Sequence, residues 1–516
     1  MRIGRIHSYG IQVNAAPDPN FVPIEKHEKR LVLILCVVAA LRVLIYSAAF
    51  PFFGPVDEEY HFDLVVRYSR WDVPRKLEPF SPAAVPYLVY YGSVEYLPAK
   101  LMPEGKYPEP PWVQPAEQAR IYLESGIRSS GQIRNYECTQ PPLYYVLTGF
   151  WWQLGRVLNL NDGNLLYGIR FTNALIVIAV VLMGYASARL LFPDRQFVRL
   201  ATAALLAFLP QSAFYSIEND ALSPVCFGAV FLLLLGWMCG RTLTPGLAAA
   251  IGLAMAATFL TKLTNAPLLA VAAVVILLQL KRMAGEGTLR AVLPAVGLMV
   301  LCAGVPVAAW LGWMKHHFGD FTGEAVHAVS QGWAHKPAGQ WLHHPIFTPT
   351  GLWTFASSLL ASFWNGELVW HGQPMNSRIV NLVFALLSLL FLGLGVRGII
   401  SNRTILEPFQ RRALWMSLAC IPTAMVFLGL ISLPYDFQDC LRPSRALPYF
   451  FSGRLMLGAV VPFFLVFVYG LDQASGRGKM PWTRPLILSG IILFMLITEL
   501  VANRPVFSSG FNWFHM

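Results

Sequence analysis

Asp57, Glu58, Glu59 and His61 follow directly on an apolar run from Leu31 to Phe53. Ionisable groups at the edge of a hydrocarbon layer are costly unless they are solvated or used, so this cluster is the first candidate for chemistry. A carboxylate within hydrogen-bond reach of a hydroxyl can take its proton as that oxygen attacks, which makes Asp57 and Glu58 candidate general bases. Glu59 and His61 stand beside them as candidate substrate contacts. Polar residues also gather at other apolar boundaries: Glu137 with Gln140-Pro141-Pro142, Glu218-Asn219-Asp220, Thr261-Lys262-Leu263-Thr264-Asn265 and Ser452-Gly453-Arg454. A fixed Lys262 or Arg454 among acids suits an anionic group, because it stabilises charge that develops there in a transition state.

Each feature also has a purely structural reading. Adjacent acids can solvate a loop, and His61, one helical turn from Asp57, suits a local hydrogen bond better than a metal. Gln140-Pro141-Pro142 shapes a turn, while Asn219 and Asp220 are favoured at helix ends. Lys262 can run its charge to the interface along an apolar stem, and Arg454 can pair with Asp436 or Asp439. The adjacent pairs His316-His317 and His343-His344 are poor metal sets. Arg42, inside the first apolar run, needs a partner or a water-filled cavity. Cys138 and Cys440, the cysteines in outward loops, are the candidates for a disulfide in an oxidising compartment.

The elements that must position these residues are membrane spans. Of 516 residues 55% are hydrophobic and 13% charged, with mean hydropathy +0.51; a soluble chain carries roughly 25% charged residues. The fold class is therefore an all-α polytopic membrane protein. About eleven runs are long enough to be read as spans of a hydrocarbon core. They lie near Leu31–Phe53, Phe171–Phe192, Leu200–Ile217, Ala221–Cys239, Gly246–Leu260, Thr264–Leu280, Ala291–Trp313, Ile379–Val396, Ala413–Leu433, Leu455–Leu471 and Pro485–Ala502. The first is too long for a cleavable signal peptide and lacks a small-residue cleavage site. Lys26, Lys29 and Arg30, then Arg195 and Arg199, Lys281, Arg282 and Arg290, Arg403, Arg411 and Arg412, and Arg477, Lys479 and Arg484 alternate consistently if the N-terminus is cytoplasmic. Asp57 then faces outward, as do all the motifs above. The formal charge of +11 is largely these anchors, with the exterior cations matched to lipid phosphates, so nucleic acid is not an implied partner.

The chain divides into a cytoplasmic arm over 1–30, a transmembrane module over 31–315, a second outward loop over 316–378 and C-terminal spans over 379–516. The module contains a first outward loop over 54–167. Both loops are rich in aromatic residues and proline and are expected to fold as caps. In the first, Glu58 to Trp71 and Pro142 to Leu158 read as helices, the second opened by prolines and lying along the interface. Neither a Walker-type phosphate loop nor a Gly-x-Ser-x-Gly elbow is present.

An acidic pair after the first span, a Pro-Pro-Leu-Tyr-Tyr helix, an acid after the third span and Thr-Lys after the fifth resemble the GT-C superfamily of membrane glycosyltransferases. The late Gly453-Arg454 and the Gln140-Pro141-Pro142-Leu143-Tyr144-Tyr145 segment resemble a bacterial family within it, and the set is similar to protein O-mannosyltransferases and lipid A aminoarabinose transferases. The motifs cover mainly Leu31 to Leu280. The resemblance implies a GT-C-like fold with juxtamembrane helices in the first outward loop and a polyprenyl-phosphate-linked sugar as donor. It implies Asp57 as base, Glu137 and Asp220 as further acids and Lys262 as the donor-phosphate contact; Arg454 as a second phosphate contact is an extrapolation. The added Glu59 departs from the simpler Asp-Glu pattern and leaves open which acid faces the acceptor. Lipid, glycan or protein acceptors all stay open; no cofactor is named, and a divalent metal stays open too. A bacterial cytoplasmic membrane with the site facing out is the implied location. A transporter or flippase of lipid-linked saccharides, and a polysaccharide polymerase or ligase, are the competing readings; the long outward loops and the lack of an inverted repeat favour the transferase.

Lys/Arg bias predicts a cytoplasmic 281–290 loop and an exterior 316–378 loop. A cysteine probe placed near Gly339 is therefore expected to be labelled from outside and one near Gly285 to be protected; the reverse pattern would sink the orientation.

Overall fold

The computed structural model describes residues 25–54, 57–402, 404–438, 440, 443–474 and 482–516. The predicted N-terminal arm is thus seen only from Glu25, and Arg403, Asp439, Arg477 and Lys479 lie outside the described residues.

A helix forms at each of the apolar runs. The chain opens with α1 (Lys26–Ala49), and the first loop follows with α2 (Glu58–Tyr68), α3 (Val85–Tyr91), α4 (Ala116–Ser130), α5 (Leu143–Val157) and α6 (Asp162–Phe171). The bundle continues through α7 (Asn173–Leu191), α8 (Gln196–Ala207), α9 (Ser223–Met238), α10 (Pro245–Thr261), α11 (Ala266–Gly285) and α12 (Leu289–Phe318). After α13 (Glu324–Ser330) and α14 (Pro349–Asn365) come α15 (Arg378–Ser401), α16 (Pro408–Ser432), α17 (Val460–Ala474) and α18 (Thr483–Asn503).

Among the described residues 9 helical stretches are long and apolar enough to cross a membrane, which makes the chain a multi-span membrane protein. The two remaining runs are shorter than expected. Helix α8 has 12 residues and α10 has 17, or about 18 and 25 Å at 1.5 Å per residue, against a core about 30 Å thick. The run expected to reach Ile217 stops at Ala207 because Pro210 pushes the residue before it out of helical geometry. A short 3-10 turn, Ser212–Tyr215, takes over. Helix α2 ends at Tyr68 rather than Trp71, and α5 forms where the juxtamembrane helix was expected.

Helix α17 is the axis of the bundle: every residue from Val460 to Asp472 is buried, against α7, α8, α9, α15 and α16. Gly470 permits this, since a Cβ there would sit 1.8 Å from the Phe391 carbonyl oxygen. The first loop has its own aromatic core, with Phe62, Tyr145, Trp152 and Tyr167 at most 2% exposed. The second loop includes two short strands, β2 (Val369–Trp370) and β3 (Gln373–Pro374), that form a hairpin, and β1 (Ala334–His335), which pairs antiparallel with β4 (Tyr435–Asp436). The two loops touch: His371 N–H donates to Glu95 O at 2.8 Å, and Tyr136 meets His327 edge-on at 5.2 Å. The C-terminal residues pack on the first loop, with the Trp513 indole donating to Asn164 Oδ1 at 2.9 Å. Cys138 and Cys440 do not join; the Cys440 thiol reaches toward Gln331 Oε1 at 3.9 Å.

Arginines expected as anchors collect at the end of the bundle away from Asp57. Arg199 makes two 2.7 Å contacts with Glu28 in the first turn of α1, and Asp472 takes Arg195 at 3.2 Å and Arg484 at 2.7 Å. Arg42 has found a partner inside the bundle. It donates to Glu499 of α18 at 2.6 Å, to Tyr215 Oη at 2.5 Å and to Ala207 O at 3.2 Å. The pair ties the first span to the last.

Removing one member of such a buried pair leaves an uncompensated charge, a loss of about 3–5 kcal/mol. Glu499→Ala is thus expected to lower the thermal midpoint of the purified protein sharply, while Arg42→Leu/Glu499→Leu recovers most of it. Equal midpoints for wild type and Glu499→Ala would show that the pair contributes nothing.

Candidate functional site

The candidate acids and bases lie between helices or at their ends, at one end of the bundle. Asp57 adopts the left-handed region (φ 67°, ψ 9°) just before α2, and its carbonyl accepts from Tyr60 and His61 N–H. Such a conformation costs a non-glycine residue energy, least for Asp and Asn, and is found where surrounding structure enforces it. Lys262 is extended (φ −161°, ψ 136°) between α10 and the turn that opens α11. Arg454 lies in the 3-10 turn Gly453–Ala459 that leads into α17. Gly453 seats this turn: a Cβ would lie 2.0 Å from Phe363 N, and its own N–H donates to Ser362 Oγ at 2.8 Å.

The breaks bring the charges into one array. Arg454 Nη2 donates to Asp57 Oδ2 at 2.6 Å, and Nη1 lies 2.7 Å from Glu218 Oε2 and 3.4 Å from Asp220 Oδ2. Lys262 Nζ donates to the same Asp220 oxygen at 2.5 Å. The Tyr136 hydroxyl donates to Asp57 Oδ1. Gln140 donates to Glu137 at 2.5 Å and accepts from Asn219 at 3.0 Å, which adds the first loop to the array. Several buried polar atoms here, Asp220 Oδ1, Asn219 Oδ1 and Arg454 Nε, have no partner among the described residues. Buried polar groups are nearly always satisfied, so these atoms have capacity for a ligand or water.

Several structural expectations are corrected. Arg454 does not pair with Asp436, which takes Arg445 at 3.1 Å. Lys262 does not run to the surface; it is 6% exposed and paired. The Glu58 carboxylate turns away from the array. It accepts from Phe53 and Ile217 N–H at 2.9 and 2.8 Å and from Arg170 Nη2 and Nε at 2.6 and 2.8 Å. These donors fill the lone pairs of a carboxylate, so Glu58 has no free site for a substrate proton. His61 Nδ1 is engaged with the Tyr145 hydroxyl at 2.7 Å. Glu59 is half-buried, and its carboxyl is hydrogen-bonded to its own backbone. Arg454 also extends the array beyond the 31–315 module.

Sequence reasoning passed over Tyr136, Arg170 and His327. Tyr136 stands next to Glu137, but nothing local sets its reach to Asp57. Arg170 immediately precedes the apolar run that starts at Phe171, and a charge there needs a partner, which is the signal that could have found it. His327 approaches Glu137 from the second loop.

Electrostatics differ sharply between the acids. Burial would raise Asp57, but Arg454 and the Tyr136 hydrogen bond outweigh it and hold the carboxyl below its usual range. Glu137 is raised by burial and by Asp57 in spite of His327. Burial, with Lys262 nearby, holds His61 neutral by pushing its pKa well down. Glu59 is pushed up to about 8 by burial and by its neighbours Asp57 and Glu58. Among the described residues no three His, Cys, Asp or Glu side chains gather as a metal set. His344 is spent on Pro448 O at 2.9 Å and Ile346 N–H at 3.2 Å.

The class these features define is a multi-span membrane protein with a paired acid and base array at one end of its bundle. The chain belongs to the family described as Predicted membrane protein (DUF2142), which matches residues 36–434. It is similar to the oligosaccharyltransferase of Archaeoglobus fulgidus in complex with zinc and sulfate, at 11% identity and TM-score 0.43, over 93% of this chain and 53% of that one. It is also similar to ArnT from Cupriavidus metallidurans bound to undecaprenyl phosphate, at 14% identity and TM-score 0.35, over 86% of this chain and 77% of that one. The chain spans about half the length of the oligosaccharyltransferase. No curated protein matches it.

A carboxyl raised from 4.5 to about 8 binds its proton more tightly in the folded than in the unfolded chain. Its contribution to stability is full below pH 4.5 and is lost as pH rises toward 8. Glu59→Gln is expected to flatten that decline in the thermal midpoint, and parallel profiles for variant and wild type would show that Glu59 titrates normally.

Proposed function

We propose that this protein is a membrane glycosyltransferase that moves a sugar from a polyprenyl-phosphate donor to an acceptor hydroxyl at the outer face of a bacterial cytoplasmic membrane. One observation carries the reading: Lys262 and Arg454 lie together with Asp57, Glu218 and Asp220 at helix breaks beside apolar spans. Such an array can bind a lipid-linked anion and deprotonate a hydroxyl in one volume. The motif resemblance supports the same assignment.

In the proposed reaction the acceptor oxygen attacks the anomeric carbon of the donor sugar and forms the new C–O bond. The bond from that carbon to the phosphate oxygen breaks, and its electron pair leaves with polyprenyl phosphate. Asp57, ionised by its setting, takes the acceptor proton as general base. Lys262 and Arg454 bind the phosphate and stabilise its growing charge; arrival of that anion competes with the carboxylates that hold them. Glu137, Gln140 and Asp220 set the positions of these groups, and Glu58 with Arg170 anchors the backbone that carries Asp57. Apolar spans hold the prenyl chain.

Asp57→Asn keeps the size of the side chain but not its basicity, so transfer is expected to fall about 10²–10⁴-fold with donor binding retained. Lys262→Ala should instead weaken transition-state binding by about 2–4 kcal/mol. Purified variants given labelled polyprenyl-phosphate sugar and membrane acceptors decide the matter. Wild-type transfer by Asp57→Asn would remove Asp57 as base, and transport without transfer would favour a lipid-linked saccharide carrier.

A further inference from the structure

At the end of the bundle away from the array, α11 and α16 lie side by side. Helix α11 starts beside Lys262 and runs for 20 residues, about 30 Å, to that end. The start of α16 is fixed there too, because Gln410 donates to Leu191 O at 2.8 Å, one residue from the Phe192 carbonyl that Arg199 reaches. Each helix carries a stripe that the rest of the protein leaves uncovered. On α11 it runs through Val274 and Leu277 and ends in Lys281; on α16 it starts at Arg412 and continues through Trp415 and Val426. In a multi-span protein such apolar stripes face lipid, and an exposed Trp one turn from a helix start sits at the level of the headgroups. Lys281 and Arg412, at the ends of the two stripes, therefore stand at headgroup level.

Packing of the two helices brings like charges together. Arg412 lies in the field of Arg282 and Arg411, which Glu286 offsets in part, and Glu286 is already paired with Arg282 at 2.7 Å. Lys281, Arg411 and Arg412 have no side-chain partner among the described residues. Like charges held this close repel, and an anion seated between them removes the repulsion. We infer that this surface binds an anionic phospholipid of the leaflet opposite the array, one whose headgroup carries two phosphodiesters. The flanking stripes argue for a lipid over a free anion, since a phospholipid supplies phosphate at the cations and acyl chain along Val274, Leu277 and Trp415. Basic surfaces between membrane helices at headgroup depth are suited to such lipids. Charge argues for two phosphodiesters: the four cations Lys281, Arg282, Arg411 and Arg412 against the two carboxylates Glu286 and Glu407 leave an excess of two positive charges. The planar forks of Arg411 and Arg412 each suit a phosphate through paired N–H donors. The site stands apart from the array and is independent of the reaction proposed there.

Native mass spectrometry and thermal unfolding of the purified, delipidated full chain test this, with diphosphatidylglycerol, phosphatidylglycerol, phosphatidylethanolamine and pyrophosphate as probes. Wild type is expected to retain one diphosphatidylglycerol about tenfold more tightly than phosphatidylglycerol, with a rise in thermal midpoint that pyrophosphate does not reproduce. Arg411→Gln/Arg412→Gln should weaken that retention about 30-fold and Lys281→Gln about fivefold, because each cation at a lipid surface contributes about fivefold. Arg241→Gln, at the same end of the bundle between α9 and α10, should leave retention unchanged. The midpoints of the variants without lipid are expected to match or exceed that of wild type, which shows that they are folded. Retention by both Arg411→Gln/Arg412→Gln and Lys281→Gln at the wild-type level, an equal loss in Arg241→Gln, or equal retention of phosphatidylethanolamine overturns the site. Phosphatidylglycerol held as tightly as diphosphatidylglycerol overturns the two-phosphate headgroup, and a midpoint rise with pyrophosphate equal to that with lipid overturns the lipid as occupant.

Discussion

Arg454 is held by carboxylates that reach it from distant parts of the chain: Asp57 after the first span, and Glu218 and Asp220 ahead of α9. Burying such charges is expensive, and removing any one member leaves the rest uncompensated. The bundle therefore has to deliver all of these helix breaks to the same level. Pro210 stops α8, Lys262 interrupts the chain between α10 and α11, and Gly453 lets the turn before α17 press against the end of α14. The short helix α10 ends at the array, at Lys262, whereas α8 ends at Ala207, whose carbonyl accepts from Arg42.

Adjacent acids serve different ends. Glu58 is saturated by backbone amides and by Arg170, fully buried with it. That pair joins the end of α1, the end of α6 and Ile217, and so fixes the backbone on either side of Asp57. Asp57 in its left-handed conformation projects into the array, whereas Glu59 stays half-buried, bonded to its own backbone. One helix start thus separates a structural carboxylate, a carboxylate held ionised by Arg454 and one whose proton is retained to about pH 8. Such divergence among neighbours is the usual route to distinct acid and base roles.

The loops complete the enclosure. Tyr136 brings the first loop to Asp57, His327 brings the second loop to Tyr136, and the C-terminal residues fasten onto the first loop through Trp513. The ion pair of Arg42 and Glu499 holds α18, which otherwise exposes much of its surface, against α1. Contacts far from the array thereby set the spacing of the elements above it.

The sequence alone determined the membrane class, the approximate positions of the spans and most residues of the array, because long apolar runs and charges at their ends stand out against a composition with few ionisable groups. It also marked Arg42 as a residue in need of a partner. What it could not show was direction: Asp57, Glu58 and Glu59 are adjacent carboxylates, and only the turn before α2 decides which meets Arg454 and which meets Arg170. Partners remote in sequence were equally hidden: the structural alternative for Arg454 was Asp436 or Asp439 nearby, whereas its partner is Asp57, 397 residues away. Hydropathy is a local property that survives in the sequence, whereas the pairing of buried charges depends on distances that exist only once the helices have packed.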